Sequence, residues 1–69
     1  MLAVVEYRGK LFYVIGSSKT RTDGNYFIGL RVDTGTFESL YVNDCEFRYF
    51  VNEKGYKLDL NLKQIKEKK

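Results

Sequence analysis

Four turn signals divide the chain at short intervals: Arg8-Gly9-Lys10, Asp23-Gly24-Asn25, Asp33-Thr34-Gly35 and Asn52-Glu53-Lys54-Gly55. The runs between them are short and rich in Val, Ile, Phe and Tyr, and no proline interrupts them. Strand-forming runs separated this way read as an antiparallel all-β fold. The run NYFIGLRVD is the clearest. Tyr26, Ile28, Leu30 and Val32 alternate with Asn25, Phe27, Gly29, Arg31 and Asp33. Period-two alternation of this kind predicts a strand with its aliphatic set buried and the Phe27–Arg31 set wet.

The other runs follow the same logic. Lys10 to Ile15 is apolar on both faces, with Leu11, Tyr13 and Ile15 opposing Phe12 and Val14, as expected for a central strand. Val5 and Tyr7 oppose Val4 and Glu6. Phe37, Ser39 and Tyr41 oppose Glu38, Leu40 and Val42, and Phe47, Tyr49 and Val51 are placed together. Asp33-Thr34-Gly35 fits a three-residue hairpin closed by a left-handed glycine, and Asn52 to Gly55 reads the same way. Asn43-Asp44-Cys45 breaks the pattern like one 3₁₀ turn. At the C-terminus, a strand is expected from Tyr56 to about Leu60, then a helical turn capped by Asn61. The domain is placed at residues 1–62, with a basic disordered tail over 63–69.

In order, VEYRGKLFYVIG, a polar loop, YFIGLRVDTG, a further strand, the NDCEF break and a last strand resemble an SH3-like small β-barrel of the kind found in bacteria and phages. The resemblance covers residues 3–51. It implies a five-stranded barrel to which residues 52–69 add a strand and a short helical piece. A fold-level likeness carries no function with it.

Sixty-nine residues make one domain. A chain this short buries about 60% of the surface its unfolded form exposes. The single cysteine, Cys45, rules out an internal disulfide, and the absence of histidine removes the usual metal ligand and general base. The core must therefore stabilise the fold alone or share that work in a homodimer. A lone cysteine suits a reducing compartment, and no signal-like or membrane-length apolar run is seen, so a cytoplasmic protein with no membrane association is expected.

Cys45 stands between Asp44 and Glu46, which disfavour a thiolate, and no glycine-rich phosphate loop is present. These features argue against an enzyme, a cofactor or a metal site. The formal charge of +3 resides in the tail, since residues 1–62 hold eight basic and eight acidic side chains. Six Tyr and five Phe exceed what a barrel of this size can enclose. Exposed rings on a small domain mark a contact surface. The leading expectation is therefore a protein-interaction module, an accessory or inhibitor protein, that binds a partner protein through Phe27, Arg31, Phe37 and Tyr41. The competing expectation is a nucleic-acid-binding barrel, with Arg8, Lys10, Lys19 and Arg21 on phosphates and Phe12 or Phe27 stacking on bases.

Overall fold

The computed structural model of the protein describes residues 1–20 and 24–65, without the side chain of Thr20. Its strands are β1 (Leu2–Tyr7), β2 (Lys10–Thr20), β3 (Gly24–Arg31), β4 (Phe37–Tyr41), β5 (Glu46–Val51) and β6 (Lys57–Leu58). One 3₁₀ turn, Val42–Asp44, links β4 to β5 and is the only helical element among the described residues. The strands form a single antiparallel sheet in the order β4-β3-β2-β1-β5-β6. No ladder joins β4 to β5, so the sheet is open. The expected closed, five-stranded SH3-like barrel is corrected to an open six-stranded sheet.

Connections follow local chemistry. Arg8 and Gly9, at φ 51° and 79°, form a two-residue turn that brings Tyr7 opposite Lys10. Between β3 and β4 the loop is one residue longer than expected. Arg31 N–H donates to Thr36 O at 2.8 Å, and Gly35 N–H donates to Arg31 O at 2.9 Å. Gly35 holds φ 72°, the left-handed value expected for it.

The C-terminal segment is a hairpin, not a helical turn. Asp59 Oδ1 accepts from the N–H of Asn61 and of Lys63, at 2.8 and 3.0 Å, and Leu62 takes φ 62°. Asn52 organises the preceding loop in the same way, accepting from Lys54 and Tyr56 before Gly55 at φ 83°. Gln64 then bridges back to Leu58, so residues 63–65 belong to the fold rather than to a tail. The remaining tail residues, including Lys66, Lys68 and Lys69, lie outside the described residues.

The register sorts side chains onto two faces. Val5 pairs with Phe12, Phe27 with Leu40, and Val14 with Gly29, which defines an inner face. Val5, Tyr7, Phe12 and Leu40 form the buried cluster there, with Val14, Phe27 and Cys45 packed against it; Tyr41, at the end of β4 and on the other face by register, also touches it. Each large side chain so enclosed contributes about 1.5–3 kcal/mol. The Tyr7 and Phe12 rings meet edge to face, 6.1 Å apart. Gly29 is what lets this layer close, because Leu40 and Phe12 lie directly over its Cα.

Two expectations about faces are reversed. In β3, the Phe27–Gly29–Arg31 set faces inward, and Ile28, with 40% exposure, lies on the outer side. In β5, a bulge pairs Phe47 with Val5 but Tyr49 with Val4. The additional residue, Arg48, sends Phe47 inward and Tyr49 outward although they are two positions apart.

Candidate functional surface

The outer face carries an apolar row that crosses five strands. Tyr49 of β5 pairs with Val4 of β1, Val4 with Tyr13 of β2, Tyr13 with Leu30 of β3, and Leu30 with Phe37 of β4. The row arises because the register aligns one outward apolar position from each of the five strands. Val4, between two tyrosines, is fully buried, whereas Phe37 at the open end is 69% exposed. A second tier, Tyr26 with Tyr41 and Ile28 with Ser39, runs beside it. The Tyr26 and Tyr41 rings are 5.4 Å apart. Ile15, at the bulge between β2 and β3, and Leu2 add further exposed apolar surface.

One ion-paired cluster stands on this face where β1 and β5 pair at Glu6 and Glu46, and a second pair belongs to the inner face. Arg48 donates to Glu6 at 2.9 Å and to Glu46 at 3.2 Å. The Glu6 hydrogen bond, aided by the charges of Glu46 and Glu6, outweighs desolvation and holds the Arg48 guanidinium above its ordinary pKa. At the other side, Arg31 Nη2 donates to Asp33 Oδ2 at 3.1 Å. Arg31 Nε is closed off from solvent, and Asp33 Oδ1 stands 2.6 Å from it but off the N–H direction, an ionic contact rather than a hydrogen bond. That hydrogen bond from Arg31 holds the Asp33 carboxyl below its usual range.

The four partner-binding residues expected from the sequence are not brought together. Phe37 and Tyr41 share the outer face with Leu30 and Tyr26. Phe27 and Arg31 lie on the inner face, opposite Leu40 and Phe12. Tyr13, Leu30, Ile28 and Tyr49 complete the outer patch, although the alternation of β3 predicts a buried position for Ile28 and Leu30.

The residues of the nucleic-acid reading are also dispersed. Phe12 is 2% exposed, so its ring offers no face for a base. Arg8 and Lys10 sit at the β1–β2 turn, where the Arg8 guanidinium lies 5.2 Å from the Tyr7 ring centre. Lys19 is nine positions further along the same strand, about 30 Å away at ~3.3 Å per residue. Arg21 lies outside the described residues.

The inner face holds an apolar concavity of about 370 Å³ walled by Ala3, Val5, Val14, Phe27, Phe47 and Phe50 together with Val42 and Cys45. The Phe47 and Phe50 rings pack 4.9 Å apart along its wall. The Cys45 thiol donates to Tyr41 O at 3.4 Å. Desolvation, followed by the charge of Asp44, pushes its pKa up, so it stays a thiol at neutral pH. Among the described residues, no three His, Cys, Asp or Glu side chains gather as metal ligands would. No protein-family model, curated protein or solved structure matches the chain, so the SH3-like resemblance has no support from relatives either.

Proposed function

We propose that this chain is a non-catalytic protein-interaction module, an accessory or inhibitor protein that takes a partner protein onto the outer face of its sheet. The observation that carries this reading is the five-strand apolar row ending in Phe37, flanked by Ile28 and the Tyr26–Tyr41 pair. An ordinary half-wet antiparallel sheet would place polar side chains at those positions. A contiguous apolar patch that carries aromatic side chains, with the Arg48, Glu6 and Glu46 ion pairs at one margin, has the composition of a contact surface. Phe37 and Tyr41 are retained as binding residues, with Tyr13, Ile28 and Leu30 beside them. Phe27 and Arg31 act indirectly, Phe27 by filling the inner layer and Arg31 through its pairing with Asp33.

Non-catalytic action is supported by the chemistry available. The chain contains no histidine, and its one thiol is held protonated. The lone cysteine also fits a reducing, cytoplasmic setting. The test is recovery of a partner from the source cell by the immobilised protein, compared with an Ile28→Ser, Phe37→Ser double variant, with nuclease present throughout. A partner protein retained by the native chain and lost by the variant, at unchanged thermal stability, is expected. Equal recovery by both would remove the outer face from the account.

A further inference from the structure

We infer that the open edge of β4 pairs with the β4 edge of a second copy of this chain, joining two six-stranded sheets into one. This concerns the edge of the sheet and goes beyond the outer-face reading.

The two ends of the sheet are finished differently. On the β6 side, the strand is two residues long, Ile65 N–H donates back to Lys57 O at 2.8 Å, and Gln64 bridges Leu58. That edge is short and covered, which are standard protections against strand addition. On the β4 side none of these devices is present among the described residues. The strand FESLY has no proline, no lysine and no bulge, its register with β3 is unbroken, and its one charge, Glu38, stands on the inner face opposite Gly29. A regular, uncovered edge is a template for another strand.

The backbone geometry shows which groups are on offer. Arg31 and Thr36 form a hydrogen-bonded pair, and antiparallel ladders alternate hydrogen-bonded with non-bonded pairs. Thr36, Glu38 and Leu40 therefore direct their backbone groups at β3, and Phe37, Ser39 and Tyr41 direct theirs to the open side. Among the described residues, one hydrogen bond reaches that side, from the weak thiol donor of Cys45 to Tyr41 O, which leaves a second lone pair on the carbonyl.

The sequence of the edge selects a second copy as occupant. An antiparallel pair centred on Ser39 is isologous, so each contact occurs twice. Ser39 meets Ser39 of the other copy, Phe37 meets Tyr41, and Glu38 meets Leu40. The hydrogen-bonded positions are then the ones both strands offer. Two aromatic cross-strand pairs form on the outer face; no like charges stand directly opposite each other, and the two Glu38 side chains lie diagonally across the axis, about 7–8 Å apart. The apolar rows of the two copies become continuous across the junction. A contact limited to one short strand pair falls at the small end of interface sizes, below about 1,200 Å², so the dimer exchanges with monomer.

The test is sedimentation equilibrium of the full chain from about 10 µM to 1 mM, the range of a weak interface, with two variants. The native chain is expected to move from its monomer mass of 8.1 kDa towards twice that value as concentration rises. Ser39→Lys places like charges face to face on the two-fold axis and is expected to stay monomeric with an unchanged melting temperature. Ser39→Cys is expected to give, under mild oxidation, a covalent dimer linked at the substituted position, since hydrogen-bonded antiparallel pairs place Cα atoms about 5.5 Å apart, within disulfide reach. A chain that stays monomeric throughout overturns the inference and leaves the edge to a strand from another protein. A dimer that survives Ser39→Lys and does not cross-link through Ser39→Cys also overturns it, by locating the interface elsewhere. If Ser39→Lys fails to fold, the cross-link decides.

Discussion

Gly29 is the position where the packing makes its sharpest demand. A Cβ added there would lie 2.6 Å from Leu40 Cδ1, 3.0 Å from Leu40 Cγ and 3.2 Å from Phe12 Cβ. Carbon atoms in good contact sit about 3.5–4.0 Å apart, so the overlap with Leu40 is nearly 1 Å. Leu40 is fully buried and Phe12 nearly so, and neither has solvent to move into. Overpacking of this kind costs about 1–3 kcal/mol. Replacing a strand glycine by alanine returns about 0.5–1 kcal/mol of backbone entropy. The overlap of nearly 1 Å with a fully buried side chain places the cost in the upper part of the overpacking range, about 2–3 kcal/mol. Gly29→Ala should therefore destabilise by about 1–2.5 kcal/mol, a large share of the ~3–10 kcal/mol typical of a chain this size. Urea denaturation followed by tyrosine fluorescence reads it directly. Leu40→Ala supplies the control. Alone it should cost about 2–5 kcal/mol. Combined with Gly29→Ala it should cost about 1 kcal/mol less than the sum, because the methyl group then has room. Gly29→Ala within about 0.3 kcal/mol of the native chain, or strict additivity of the pair, would refute the inner-face packing described here.

Three further outcomes are expected. Gly35→Val should destabilise by more than about 1 kcal/mol through backbone strain alone, because Gly35 sits at φ 72° with open space where a Cβ would go; a loss of a few tenths in the same assay would count against the turn. Leu62→Gly should raise the melting temperature, since an exposed leucine at φ 62° carries about 1–2 kcal/mol of left-handed strain; no gain would place the Asp59 hairpin in doubt. The Cys45 thiol, with its pKa raised, should react with a disulfide reagent at pH 8 more slowly than a free cysteine; because the folded state retains that proton more tightly, stability should fall as pH rises above about 9, and a rapid reaction with no alkaline loss would contradict its burial.

The strands, their alternation and most turns were legible because each is local. Side chains two apart share a face of a regular strand, and Asn52 or Gly35 acts within a few residues. What the sequence withheld was which face is which. In β3 the aliphatic set looks like the core set, yet the Phe27–Gly29–Arg31 side of the strand is the inward one. Gly29 admits Leu40 and Phe12, and that depends on β4 and β2 rather than on β3. The Arg48 bulge is invisible for the same reason: it exists only relative to β1, and it moves Phe47 and Tyr49 to opposite faces. Register likewise decides the candidate surface. Phe37 and Tyr41 alternate onto one face of their strand, as do Phe27 and Arg31 of theirs, but only the β3–β4 ladder shows that the two pairs lie on opposite sides. The C-terminal residues Leu58, Leu62 and Ile65 fit a helical spacing, and the Asp59 carboxylate overrides it by capturing two backbone N–H groups.

The account rests on Phe27 facing inward and Phe37 facing outward. Thermal unfolding of Phe27→Ser and Phe37→Ser, measured side by side, tests this most directly. Phe27 packs on the core cluster, and truncation of a half-buried ring at about 2 kcal/mol, with 4–8 °C per kcal/mol in a domain this small, should lower the melting temperature by about 8–16 °C. Phe37 is 69% exposed, and its variant should melt within about 2 °C of the native chain. The reverse order, or an equal loss in both, would contradict the assignment of the faces and with it the proposed binding surface.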